Sequence, residues 1–300
     1  MPFAESSWAF GGIQVPRHEA RAVLLPVAYD LTTTYGTGAR GGPRALLEAS
    51  THMELFDEEL GFAPTDVGLH TTEIIEQIAS GPEGMIRCVS ELVGEVLDEG
   101  RFPILVGGDH SVTIGAFLAL EERKRKVTVL HLDAHADLRE EYQGTPFSHA
   151  CVMARGRERF PCVSVGIRSL SEPEWNRVQH DRLAIFPARR LREDREGFLA
   201  EVEPLLARPI YLTLDLDVLD PSILPSTGTP EPGGLTWEEI LWVVRSLTRG
   251  KEVVGFDVME LSPIPGFRAP DFLAAKLLNK ILGFACPPGA AASGRAPHHG

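Results

Sequence analysis

The chain has 300 residues, 43% hydrophobic and 24% charged, a soluble globular composition long enough to bury a large core without staples. A formal net charge of -13 repels phosphate backbones, which excludes nucleic acid as the main partner. None of the four cysteines, Cys88, Cys151, Cys162 and Cys286, stands at CxxC spacing, so zinc ribbons and thioredoxin-like redox chemistry are excluded and reduced, mostly buried thiols are expected.

In chain order, residues 1–10 include Glu5 and lack both a basic n-region and an apolar h-region. No signal peptide is read there, no apolar run reaches the length of a membrane span, and the cytoplasm is the expected location. The spacing of apolar residues predicts a strand over 22–28, a helix over 82–99 opened by Pro82, and a strand over 102–106. A helix follows over 111–122 with Ser111 at its N-cap, then strands over 127–132 and 163–167. Next come helices over 172–179, with Pro173 in the first turn, and 195–206, a strand over 210–216, and a helix over 236–247 capped by Thr236. A strand over 253–259 and a helix over 271–282 close the series. Strands alternating with helices imply an α/β fold with a parallel sheet covered on both faces. No repeat or linker divides the chain, so residues 1–286 read as a single catalytic domain. Residues 287–300, rich in Pro, Gly, Ala and Ser, read as a flexible tail whose His298 and His299 are exposed terminal side chains.

Three of the predicted strands run into polar clusters: Gly107-Gly108-Asp109-His110-Ser111, Asp133-Ala134-His135-Ala136-Asp137, and Asp215-Leu216-Asp217 followed by Asp220-Pro221. Sites in parallel sheets form outside the carboxyl ends of strands, where these clusters stand. In extended chain Asp133 and His135 share a face, as do Asp215 and Asp217. Carboxylates crowded at strand ends are costly unless a cation sits between them, and solvated loop acids would not interrupt an apolar strand. Four carboxylates and two imidazoles form a hard donor set that suits manganese, with nickel or cobalt as alternatives, and exceeds the needs of one open site. Two ions sharing carboxylates fit better. His131 reads as a core histidine or one that supports a ligand, and Asp109 either orients a neighbour or caps the helix near Ser111.

These clusters, GGDHS, DAHAD and DLDVLDP in that order, resemble the three metal-binding signatures of the ureohydrolase family of arginases and agmatinases. Tyr29-Asp30 with Gly38, Arg40, Gly42 and Pro43, and the segments SVGIRS (164–169), TGTPEPGGL (227–235) and GFDVME (255–260), extend the resemblance over residues 22–282. It is closest to the bacterial agmatinases, and departs at SPIPGFRAP (262–270). The resemblance implies a three-layer αβα arginase–deacetylase-like fold with a mostly parallel eight-stranded sheet. It implies two Mn(II) ions per subunit, one held by His110, Asp133, Asp137 and Asp215, the other by Asp133, His135, Asp215 and Asp217. Asp133 and Asp215 would bridge. Glu260 matches the residue that holds the guanidinium, and His149 the histidine given a proton-transfer role. A homo-oligomer, trimer or hexamer, is implied as well.

On this reading water activated by the metal pair attacks the guanidino carbon of agmatine, releasing urea and putrescine. Arginase, guanidinobutyrase, guanidinopropionase and guanidine hydrolase activities are the rivals. The six-ligand set argues against the single-zinc deacetylases that share the fold. A catalytically dead binding or regulatory relative would have lost a ligand, Glu260 or His149, and this chain retains them all. The loop at 138–148 lacks the arginase pattern for an α-carboxylate, and Glu140 and Glu141 are expected to favour a distal ammonium.

Overall fold

The computed structural model describes residues 8–207 and 209–288. Residues 289–300, most of the segment expected as a flexible tail and including His298 and His299, lie outside the described residues.

Strand residues alternate between two cores, which is what stacks the molecule in three layers. In β1 (Ala22–Ala28), Ala22 and Leu24 join one apolar cluster while Val23, Leu25 and Val27 join the other. A strand buried on both faces must be apolar throughout, as this one is. Burying side chains such as Leu24 contributes roughly 1.5–3 kcal/mol each. The remaining strands are β2 (Leu69–Thr71), β3 (Ile75–Glu76), β4 (Phe102–Val106), β5 (Thr128–Leu132), β6 (Cys162–Ile167), β7 (Ile185–Pro187), β8 (Ile210–Asp215) and β9 (Val253–Met259). Their pairings are parallel, in the order β2-β1-β4-β9-β8-β5-β6-β7.

The described sheet has nine strands rather than the eight implied by resemblance. The extra one is β3, which takes over the edge of β1 at Val27 and Ala28 after β2 has stopped opposite Leu24.

Helices α2 (Pro82–Asp98), α3 (Thr113–Glu122), α4 (Val152–Arg157) and α5 (Glu172–Asp181) cover one face. The other is covered by α1 (Gly42–Ser50), α6 (Ala188–Glu193), α7 (Arg195–Val202), α8 (Trp237–Thr248) and α9 (Ala269–Ala285). Thr236 caps α8 in a capping box with Glu239, as expected. Ser111 does not cap its helix. Asp109 accepts from the Ser111 backbone N–H instead, and a short 3-10 turn, His110–Val112, precedes α3. No helix among the described residues is long and apolar enough to cross a membrane.

Strand order positions the site. β4, β9, β8 and β5 are consecutive neighbours in the sheet although they come from distant parts of the chain. The chain leaves β4 and β5 toward helices on one face, and β8 and β9 toward helices on the other. Where connections diverge in this way, a crevice opens at the carboxyl ends of the strands.

Candidate metal centre

The glycine pair after β4 lets two strand ends touch. A Cβ on Gly108 would stand 1.6 Å from the Tyr29 carbonyl oxygen, so only glycine fits. The Gly108 N–H donates to the Val27 carbonyl, and its own carbonyl accepts from Glu260 N–H at 2.8 Å. His110 is thereby held beside the end of β9, where its backbone N–H donates to Glu260 Oε1 at 2.7 Å.

The aspartates are set by one repeated device. Asp133 Oδ1 accepts from His135 N–H at 2.6 Å, Asp215 Oδ1 from Asp217 N–H at 2.8 Å, and Asp217 Oδ1 from Ala134 N–H at 3.0 Å. Each has one oxygen pinned to backbone, while its Oδ2 meets the histidines of the cluster. This corrects the strand-alternation argument for the pairs. β5 ends at Leu132 and β8 at Asp215, and Asp217 sits in the 3-10 turn Leu216–Val218. Local carboxylate-to-backbone turns, rather than a two-residue period, turn these side chains inward. Asp137 (φ 51°) and Glu260 (φ 68°) occupy the left-handed backbone region, a strain that side chains at sites commonly carry.

The structure brings the six expected ligands together. His110 Nδ1 lies 3.2 Å from Asp133 Oδ2, 3.3 Å from Asp215 Oδ2 and 3.4 Å from Asp137 Oδ2. His135 Nδ1 lies 2.8 Å from Asp217 Oδ2 and 3.6 Å from Asp133 Oδ1. Two groups have metal-holding spacing, His110 with His131, Asp133 and Asp137, and Asp133 with His135 and Asp217. Asp133 is common to both. Asp215 joins neither by that spacing, although its Oδ2 faces His110. His131 is packed in as a support: Nε2 meets Asp133 Oδ2 at 2.8 Å and Nδ1 meets Ser164 Oγ at 3.1 Å.

The donor set fits divalent metal. His110 Nδ1 is buried and makes no hydrogen bond, yet three carboxylates surround it. The other ring nitrogen explains why. Thr213 Oγ1 donates its proton to Asp257 Oδ1 at 2.7 Å, so toward His110 Nε2, 2.8 Å away, it can only accept. Nε2 therefore keeps its proton, and Nδ1 is the nitrogen left to ligate a cation. Without one, burial opposes the imidazolium, but Asp133, Asp137 and Asp215 outweigh it and hold His110 well above its ordinary value. Asp257 also accepts from Tyr211 and Thr113 hydroxyls. Sequence reasoning assigned no role to Thr213 or Asp257; the available signal was a lone acid inside the apolar run of β9.

Electrostatics point the same way. Burial raises the Asp215 carboxyl well above the usual range, and Asp217 and Asp133 raise it further. Burial, then Asp133, raises Asp217. Burial opposes the charged form of His135, but Asp217 and Asp133 outweigh it and push the imidazolium up to about 12. The cluster thus holds protons where cations would otherwise neutralise it.

A cleft of about 320 Å³ opens above, lined by His110, His135, His149, Asp215, Asp217 and Glu260 among others. Burial, and then Asp109, raise the Glu260 carboxyl well above its ordinary value. Gly228 and Thr229 form one wall, tied to the Gly36 loop by the Gly36 N–H, which donates to the Gly228 carbonyl at 3.0 Å. Glu140 does not line this cleft. Arg155 and Arg177 bind its two oxygens at 2.6 and 2.5 Å, so its expected pull on a substrate ammonium is already neutralised. Arg139 and Tyr142 line the mouth instead, the guanidinium 4.8 Å above the ring.

The sequence profile of the arginase family matches residues 20–283. An N(1)-aminopropylagmatine ureohydrolase of Thermus thermophilus is 42% identical over 91% of this chain and 93% of its own length. An agmatinase of Bacillus subtilis is 33% identical over 82% of this chain and 85% of its own. Among solved structures, the agmatine ureohydrolase of Thermoplasma volcanium superposes with a TM-score of 0.84 at 28% identity, covering 95% of both chains. The chain belongs to the arginase family, and it is a hydrolase of the ureohydrolase kind.

Proposed function

We propose that this chain releases urea from an agmatine-type guanidino amine at a binuclear manganese site held by His110, Asp133, His135, Asp137, Asp215 and Asp217. The observation that carries the reading is the orphaned His110 Nδ1 facing three carboxylates beneath a cleft that also exposes Glu260 and His149. When bound, such a metal pair supplies Lewis acidity that acidifies water and stabilises developing negative charge. The protein does the rest. Glu260 accepts charge-assisted hydrogen bonds from the guanidinium and aims its carbon at the cluster. Two divalent ions would offset the four aspartates, so the charge that selects a guanidinium over a neutral amide is left to Glu260. His149 stands over the cleft to pass a proton to the departing amine.

Between agmatine and its N1-aminopropyl derivative, we favour the longer amine. The higher identity to an enzyme named for that substrate supports it. Agmatine remains the second reading, supported by the Bacillus relative. Comparing kcat/KM for N1-aminopropylagmatine, agmatine, guanidinobutyrate and arginine by urea release tests it. The aminopropyl compound leads and both carboxylate-bearing compounds trail. A preference for guanidinobutyrate or arginine would overturn the reading.

A further inference from the structure

Thr32 lies in a loop after β1 that sequence reasoning left without a role, and it is 5% exposed. Its backbone N–H and its hydroxyl both donate to Asp109 Oδ2, each at 2.9 Å. Asp109 Oδ1 is occupied on its other side by the Ser111 N–H and hydroxyl. On the far side of Thr32 stands His149, whose backbone N–H donates to Thr32 Oγ1 at 3.0 Å and whose Nδ1 lies 3.3 Å from the same oxygen. A hydroxyl has one proton and two lone pairs. Thr32 spends its proton on Asp109, so both contacts from His149 are donations to it. Ser148 Oγ, the other neighbour of Nδ1, is at 3.5 Å, the edge of hydrogen-bonding distance. The Tyr142 ring packs edge-on against the imidazole, centroids 6.2 Å apart. No hydrogen bond to His149 Nε2 is made among the described residues, and the side chain lines the cleft.

We infer that Thr32, anchored by Asp109, is a positioning residue that holds His149 with Nδ1 protonated and Nε2 turned to the leaving amine. The inference rests on the proposed role of His149 in the urea-releasing reaction. As the C–N bond breaks, its electron pair goes to the amine nitrogen, which takes the Nε2 proton of the imidazolium. The neutral ring left behind already has its proton on Nδ1, bonded to Thr32, so no ring flip or tautomer change is needed before Nε2 is protonated again. The hydroxyl ties the turn carrying His149 to the loop preceding the first metal-site histidine, so the proton donor and the reaction centre share one anchor.

The test is a double-mutant cycle on the metal-loaded enzyme, with T32V, T32S, H149N and T32V/H149N compared for kcat, KM and metal content. T32V keeps shape and loses the hydroxyl. It lowers kcat by about tenfold, part of the ~100-fold that a proton donor supplies, and leaves KM and metal content unchanged. T32S restores most of the rate, and T32V adds no further loss in the H149N background. Equal losses from T32V with and without His149, or a loss that T32S does not restore, would overturn the inference. Failure of the wild-type enzyme to release urea from any guanidino compound would instead sink the underlying reading.

Discussion

At the residue scale, the donor set was legible because acids and histidines crowd where apolar strands end, and carboxylates packed together there need a cause. What could not be read was how each carboxylate is aimed. The inward turn of Asp217 depends on hydrogen bonds linking Asp215, Asp217 and Ala134, and the last lies on a different strand end. The supports behind His110 were hidden for the same reason: Thr213 and Asp257 lie on adjacent strands that are far apart in sequence. If Asp217 serves one ion and Asp215 both, Asp217→Ala loses chiefly the second ion while Asp215→Ala depletes both, and turnover collapses in each. Elemental analysis after loading and desalting measures this; near-wild-type metal content in Asp217→Ala would contradict the ligand assignment. His149→Asn binds metal normally and turns over ~100-fold more slowly, the usual cost of losing a general acid. Unchanged kcat would demote His149 to a loop residue.

Among the elements, strands in the middle of the sheet were the legible ones, since burial on both faces demands long apolar runs. β1, β4 and β9 carry the expected bounds. β2, β3 and β7, of two or three residues each at the sheet edges, leave too short a pattern to read. The six-residue helices α4 and α6 escaped likewise. Loops above the site are bound together by Arg168, just past β6. Its guanidinium donates to the carbonyls of Asp217 and Glu231, both at 2.7 Å, and of Pro232 at 3.0 Å. Replacing it with Met leaves several carbonyls without donors. Arg168→Met therefore costs about 2–3 kcal/mol, scaled from hydrogen bonds to charged groups, and should weaken retention of the second ion next to Asp217. Thermal unfolding and metal titration check this; an unchanged Tm together with unchanged metal affinity would show that the clamp is dispensable.

For the whole molecule, net charge limited the partners without locating a site, and the folded chain explains why: the acids of the site are a few of the chain's 42, buried in one cluster, and the total is set by the rest. That cluster ties metal binding to pH. With its pKa raised to about 12, His135 is protonated in the metal-free protein at neutral pH, and a cation must displace that proton. The sign follows directly: lower pH favours the proton, so metal affinity rises as pH rises. Adding manganese to metal-free enzyme in weak buffer near pH 7 should release protons and acidify the solution. Binding without proton release would place the metal elsewhere.

The central claim, a two-ion centre that cleaves guanidino compounds, meets its most direct test in one titration. Metal-free enzyme receives manganese in measured equivalents, with N1-aminopropylagmatine or agmatine present, and urea is followed as the readout. The account predicts no urea without metal and a rate that climbs until about two equivalents per chain, the stoichiometry of a binuclear hydrolytic site. Full activity at one equivalent, or no urea at any loading, would contradict it.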